Sequence, residues 1–442
     1  MSNEEGSSSQ AVYKQVINVE ELKRLSNTVE VLLSCVNNRN VHEDNFSPIY
    51  KVPSRLRDVN PSSFTPRVVS IGPLHRGRAD LKLMEDKKAI YLYELLDEVA
   101  KGSEKEKLTM CEEKVMKSIE KIKTCYFGMN YQQCEYTDDE LAQIMVMDAC
   151  FILQFLNKLK TTDDVLSNNR LRSRSVAVDL VLLENQIPYF VLEDIYHLIF
   201  KPFKPKPNLT DMLLDLLERV NPFLEKIKVD NLSYKKTPYH ILGLLHEFYQ
   251  YKNFDPPRIE AIPTAHSAVE LHKVGVKFRS NKDMKWPLAM EFEQSLHTLR
   301  MPKVLIDNFF EVAMRNLIVY EQYSPVKNYV TSYAMAMDML AATPADIAKL
   351  AESDVIVNHL GSNEKASNMI SNICKDVTFP DFYYVESWTS ANKYYESYWK
   401  KNYGLLKRKY FSTPWKATAL IAGVIVFALT IAQFIFRIIT FT

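Results

Sequence analysis

The 442-residue chain carries 55 Lys and Arg against 54 Asp and Glu, with 47% hydrophobic and 25% charged residues, so it has the balance of a folded domain and enough length for one large core or a few smaller ones. A net charge of +1, with no basic field ahead of the C-terminal segment, argues against nucleic-acid binding. Only ten glycines occur, which argues against phosphate-cradling loops, nucleophile elbows and β-rich architectures.

Residues 1–17 begin polar and acidic and read as a disordered tail, not a signal or transit peptide. A helix is expected over Val19–Val36, where Asn18 caps an apolar face of Leu22, Leu25, Val29, Leu32, Leu33 and Val36. An irregular stretch from Ile49 follows, and Val68–Ile71 reads as a short strand before turns at Gly72-Pro73 and Gly77. A helix is then expected over Leu81–Val99, a charged and exposed one within Lys101–Thr124, and another from a capping box at Thr137-Asp-Asp-Glu140, with Asp148 on its apolar face. Val176–Phe200 is nearly continuous apolar sequence, broken by Glu184-Asn185-Gln186 and Pro188. A proline-rich linker lies near 201–209.

Beyond it, helices are expected at Asp211–Lys228 with Thr210 as cap, Tyr239–Tyr249, Leu305–Glu321, Tyr329–Ala342, Pro344–Ala351 with Thr343 as cap, Ser362–Val377 and Tyr384–Tyr410. Val274–Phe278 reads as a strand. The fold class is therefore mainly α, a multi-helix globular domain over 18–400 with a few short strands.

Residues 401–416 form a basic and aromatic segment ahead of ATALIAGVIVFALTIAQFIF at 417–436, followed by a tail at 437–442. Twenty apolar residues reach roughly 30 Å, the hydrocarbon thickness of a bilayer, so one transmembrane helix is expected with Ala417, Leu420, Ile425, Phe427 and Phe436 in lipid. Trp415, Lys416, Lys409 and Arg408 belong at the interface, and the basic flank places the domain in the cytosol. That is a single-pass, tail-anchored layout, with plasma membrane and endoplasmic reticulum equally compatible. The acceptor patterns at Asn45, Asn208 and Asn231 are then expected to carry no glycan.

Several segments, read together, resemble the plant domain of unknown function 247 family, also called uncharacterised protein family 0481. They are Ile49–Arg57, Val69-Ser-Ile-Gly-Pro-Leu-His-Arg-Gly77, Met84-Glu85 with Lys87 and Lys88, Met147–Ile152 and Asp179–Phe190. Ala268–Phe278, Arg315–Gln322 and Pro414-Trp415 complete the set. The turn at 72–77 departs from an aromatic with two histidines, and Met147–Phe151 is less polar than the family version. The resemblance implies a mainly helical plant protein with one C-terminal span. For most members no activity is known, and some grass members are implicated in pollen-side self-recognition.

Two clusters are candidate binding sites. His75 and Arg76 precede a helix carrying Glu85, a pairing suited to acid–base work, although no nucleophile or oxyanion element accompanies it. Glu184, Asn185 and Gln186 sit inside an apolar run and need partners if buried, with Glu321-Gln322 as candidates across the core. His240 with His246, and His266 with His272, lack metal-ligand spacing, and the six scattered cysteines read as reduced thiols, so no metal or cofactor is expected. The expected function is a membrane-anchored, non-catalytic recognition or scaffold protein of plants, in cell–cell or pollen recognition, with the bilayer and another protein as partners. The alternative is a membrane-bound, hydrolase-like enzyme using His75 with Glu85 or Glu184.

Overall fold

The computed structural model describes residues 47–99, 102–127, 135–160, 170–200, 208–227, 237–250, 264–281, 286–410 and 414–441. The expected helix at 19–36, the N-terminal tail, Cys134 and the linker at 201–207 lie outside them.

The first half builds around one helix. Short α1 (Ser54–Arg57) is followed by α2 (Lys82–Val99), α3 (Glu104–Met116), α4 (Ile119–Phe127), α5 (Asp138–Lys160), α6 (Arg170–Asp179), α7 (Tyr189–Phe200) and α8 (Leu209–Val220). Between Leu141 and Leu156 only Gln143 of α5 is exposed. An apolar helix buried on nearly all sides needs neighbours all round, and α2, α3, α4, α7 and α8 supply them. The capping box at Thr137 and Glu140 starts it.

The second half builds around another. After α9 (Ile241–Phe248) and α10 (Ala268–Lys273), strands β1 (Lys277–Ser280), β2 (Glu291–Glu293) and β3 (Thr298–Met301) form a sheet of order β1-β3-β2, with β1 parallel and β2 antiparallel to β3. Strand β4 (Val304–Ile306) pairs in parallel with β5 (Ile356–Asn358). Between them run α11 (Asn308–Tyr323), α12 (Tyr329–Leu340) and α13 (Pro344–Glu352), and α14 (Asn363–Ile373) follows. The α11 helix touches α6, α8, α9, α12, α14 and β4, and so joins the two halves.

Helix α15 (Val385–Tyr410) starts inside the domain, with Trp388 and Ala391 buried. Tyr384 stacks on Trp286 at 5.5 Å, and Phe382 meets Trp388 edge-on at 5.3 Å. Helix α16 (Pro414–Phe441) ends the chain. Among the described residues no helix is long and apolar enough to cross a membrane. In α16 the described side chains are Thr418 and those of 421–436, all exposed. That continuous stretch covers about 24 Å against roughly 30 Å of hydrocarbon. The run expected to span falls in a 28-residue helix that does not meet this requirement, and the side chains of Ala417 and Leu420, like those of Arg408, Lys409, Trp415 and Lys416, lie outside the described residues.

Other expectations shift for visible reasons. Val68–Ile71 is no strand, because side chains rather than a neighbouring strand take its N–H groups. The stretch Lys101–Thr124, expected to contain one exposed helix, holds one that buries Cys111 and Val115 and divides from a second at Lys117-Ser118, where the Ser118 carbonyl accepts the Ile122 N–H. Val176–Phe200 breaks after Asp179, since Asn185 and Gln186 donate to the carbonyls of Asp179, Leu180 and Leu182 and close the turn. Asn208, not Thr210, caps α8, and Leu305 lies in β4 because Asp307 starts α11 two residues later.

Candidate functional site

Segment 47–78 is buried without being regular. It holds α1 and a single 3₁₀ turn at Pro61–Ser63, yet Ile49, Val52, Phe64, Val69 and Ile71 are core residues. Buried irregular backbone leaves N–H groups with no ladder to join, and each must find another acceptor. Four side chains more than 70 residues downstream supply them. Asp179 accepts from the N–H groups of Arg67 at 3.1 Å, Val68 at 2.6 Å and Val69 at 2.9 Å. Asn185 accepts from Ile71 N at 2.7 Å and donates to Val69 O at 3.0 Å. Asp148 accepts from Gly72 N at 2.7 Å, and Glu184 accepts from Val52 N. Gln186 donates to Leu180 O and Leu182 O and accepts from Leu242 N at 3.3 Å.

The charged residues interlock around this cradle. Arg57 pairs with one oxygen of Glu184, while His75 Nε2 sits 3.0 Å from the other, off the hydrogen-bond line. Burial pushes the Glu184 carboxyl upward, but His75, Arg57 and the Val52 N–H outweigh it and hold the group below the usual glutamate range. Glu85 takes a second set of partners: Lys88 at 2.8 Å, Arg76 at 3.1 Å and the Ser70 hydroxyl at 3.2 Å. Lys88 and Asp148, both fully buried, meet at 2.6 Å. Burial also raises the Asp148 carboxyl, against the pull of Lys88 and the Gly72 N–H. For Asp179, burial outweighs three backbone donors and pushes its pKa up to about 6.

All six expected site residues therefore fall in one region, but in two sets. His75 pairs with Glu184 and not with Glu85, while Arg76 pairs with Glu85. Asn185 and Gln186 bind backbone. Glu321 is no partner of this cluster; it accepts from Val330 N, Thr331 N and the Thr331 hydroxyl and meets His246 Nε2 at 2.8 Å. Gln322 is half-buried and bonds Thr378.

Chemically, the arrangement neutralises buried charges and fixes backbone. Two hollows among the described residues lie apart from His75, Glu85 and Glu184. One, of about 240 Å³, lies between the β2–β3 turn and α15 at His297, Lys393 and Tyr394. The other, of about 130 Å³, borders Arg67, Asp179 and Phe309. Among the described residues no group of three or more His, Cys, Asp or Glu could hold a metal ion.

Sequence reading missed Asp179 as a ligand for backbone, the Lys88–Asp148 pair, and the polar residues of the second half. Asn316 accepts from Leu183 N and donates to Ser63 O and Val312 O. His240 accepts the Gly243 N–H at Nδ1 and faces Pro48 O with Nε2, and its burial lowers its pKa to about 3. The signal was a lone polar residue on an apolar helix, which marks burial without naming the partner.

Gly72 shows how closely the cradle fits. Its φ is +71°, and a Cβ there would lie 2.4 Å from Gln186 O and 2.9 Å from the Tyr126 hydroxyl. Gly72→Ala is expected to lower stability by at least about 2 kcal/mol, from backbone strain plus the clash with a fixed carbonyl. Chemical denaturation reads this directly; an unchanged midpoint would refute the close packing.

A family model described as "Plant protein of unknown function" (DUF247) matches residues 49–429. Two curated relatives come from Arabidopsis thaliana. The UPF0481 protein At3g47200 is 27% identical over 424 residues, covering 87% of this chain and 85% of that protein. The putative UPF0481 protein At3g02645 is 22% identical over 483 residues, covering 87% and 89%. No solved structure matches.

Proposed function

The chain belongs to the DUF247 family of plant proteins, and from that membership we propose that it is a membrane-anchored, non-catalytic recognition or scaffold protein. One observation carries the partner-binding part. Leu83, Asp86, Ile90, Tyr93 and Asp97 recur on α2 at alternating spacings of three and four residues, and all five are exposed. Leu83 is 81% and Tyr93 67% exposed. Such spacing suits a helix that packs against another helix, and none of the described residues covers it. The occupant fitting it is a partner helix with apolar knobs and cations opposite Asp86 and Asp97.

The anchor reading rests on the run Ala417–Phe436 and on the outward apolar side chains of α16, and the basic flank supports a cytosolic domain. Plasma membrane and endoplasmic reticulum suit it equally, and cell–cell or pollen recognition is the process the family suggests. A chain ending at Lys416 should leave the membrane fraction on a high-salt wash, which screens contacts of the remaining cations with headgroups; if it stays, the anchor reading fails. For the partner, proximity labelling in plant membranes should lose its reproducible targets at least tenfold in an Ile90→Asp, Tyr93→Asp variant of unchanged melting. An unaltered target set would refute the α2 surface.

The 3.0 Å approach of His75 to Glu184 favours a second reading, acid–base chemistry. His75→Gln that folds normally yet abolishes biological function while leaving the labelled partners intact would favour that reading over recognition.

A further inference from the structure

Charge along the chain is partitioned at one point. After Glu396 there is no acidic residue, and seven cations follow: Lys400, Lys401, Lys407, Arg408, Lys409, Lys416 and Arg437. The 396 residues before carry the other 48 cations and all 54 acids, a net of −6. The partition falls inside α15, which runs unbroken from Val385 to Tyr410. Its first turns belong to the domain, where the Ser387 hydroxyl donates to Met290 O at 2.9 Å and the Tyr394 hydroxyl to Val274 O at 3.2 Å.

The later turns have a different pattern. With an advance of about 100° per residue, positions 400, 401, 407 and 408 fall in a sector roughly 120° wide, and 399, 403, 406 and 410 in one roughly 60° wide, centred about 130° away. The first sector is Lys, Lys, Lys and Arg; the second is Trp, Tyr, Leu and Tyr. A helix with a cationic face beside an aromatic and leucine face suits the plane between headgroups and acyl chains, where the rings settle at the boundary and the cations reach phosphate.

We propose that residues 399–410 are a binding site for anionic phospholipid headgroups. The site lies directly ahead of α16, so it deepens the anchor reading and rests on it. Charge complementarity selects this occupant: the segment is purely cationic, whereas the net-negative domain is repelled by the same leaflet. The consequence is orientation, with α15 drawn down and the domain held off the surface.

The test uses the full-length chain, synthesised cell-free beside vesicles of phosphatidylcholine alone or with added phosphatidylserine, and recovered by flotation. Each cation engaged is worth roughly fivefold, so with two to four engaged recovery at low salt should favour anionic vesicles by about 25-fold to 600-fold, and the preference should fade as salt rises. Joint replacement Lys400→Gln, Lys401→Gln, Lys407→Gln and Arg408→Gln should abolish the preference without changing the melting midpoint. Lys409→Gln, outside the sector, should keep most of it, and Lys400→Arg with Lys401→Arg all of it. Equal recovery on both vesicles, a preference surviving the fourfold variant, or capture by polyglutamate but not by vesicles would each overturn the proposal. Alkaline carbonate washing of neutral vesicles tests the anchor separately. Protein stripped there sinks the anchor, whereas protein retained on neutral and anionic vesicles alike sinks only the headgroup site.

Discussion

Replacing Asp148 by alanine is expected to lower the stability of the domain by about 3 kcal/mol, because it leaves the buried Lys88 ammonium and the Gly72 N–H short of an acceptor. Losing one partner of a buried pair costs roughly 3–5 kcal/mol. The lower end applies because Glu85, also 2.8 Å from Lys88, keeps part of the compensation. Asp148→Asn retains an acceptor and should cost less. The double variant Lys88→Met, Asp148→Leu should recover most of the loss by removing both charges, yet not all of it, since Gly72 N remains unpartnered. A denaturation series over these variants separates the contributions. If Asp148→Ala proved no worse than a surface substitution, the ion pair would have no structural role.

Asp179→Ala should also cost about 3 kcal/mol or more, because three N–H groups at Arg67, Val68 and Val69 lose their acceptor at once, at roughly 1–3 kcal/mol per buried unmet donor. The same carboxyl gives a pH dependence of definite sign. Its folded pKa of about 6 lies above the unfolded value near 3.8, so the folded state binds the proton more tightly. The stability it contributes is complete below about pH 4 and is lost as pH rises through about 6, with an amplitude of about 3 kcal/mol. His240 acts in the opposite sense. Burial lowers its pKa from 6.5 to about 3, so its contribution is complete above pH 6.5 and is lost as pH falls toward 3. Between pH 4 and 6 the two oppose each other, and Asp179→Asn should expose the histidine by making acid destabilisation steeper. An Asp179→Asn profile parallel to the wild type would refute the assignment.

Legibility from sequence followed the range of the interactions. The box at Thr343 and Asp346, with Pro344 in the first turn, set the start of α13 where residue patterns put it. Such caps are local, and so is the helical period. The turn after Asp179 was hidden because its carbonyls are closed by Asn185 and Gln186, whose polarity was visible but whose targets were not. Glu184 was marked as needing partners and His75 was offered either Glu85 or Glu184, but no local pattern chooses between them; the structure takes the second, across 109 residues. Asp148 was noticed as polar among apolar neighbours, and its partner Lys88 sat in a quoted motif unlinked to it. The strands around β3 were largely missed because each has only three or four residues, too few for an alternating pattern.

The cradle around segment 47–78 bears on how the chain is made. Ile71 N waits for Asn185, 114 residues later, and the Tyr50 hydroxyl for Val319 O, 269 residues later. Ribosomes add about 5–20 residues per second, so roughly 6–23 s separate Ile71 from its acceptor, and about 13–54 s separate Tyr50 from its own. Throughout that interval Ile49, Val52, Phe64 and Val69 have only part of their core to enter. The nascent chain therefore offers a long-lived hydrophobic leader to chaperones, and any pause in translation before Gln186 lengthens that exposure.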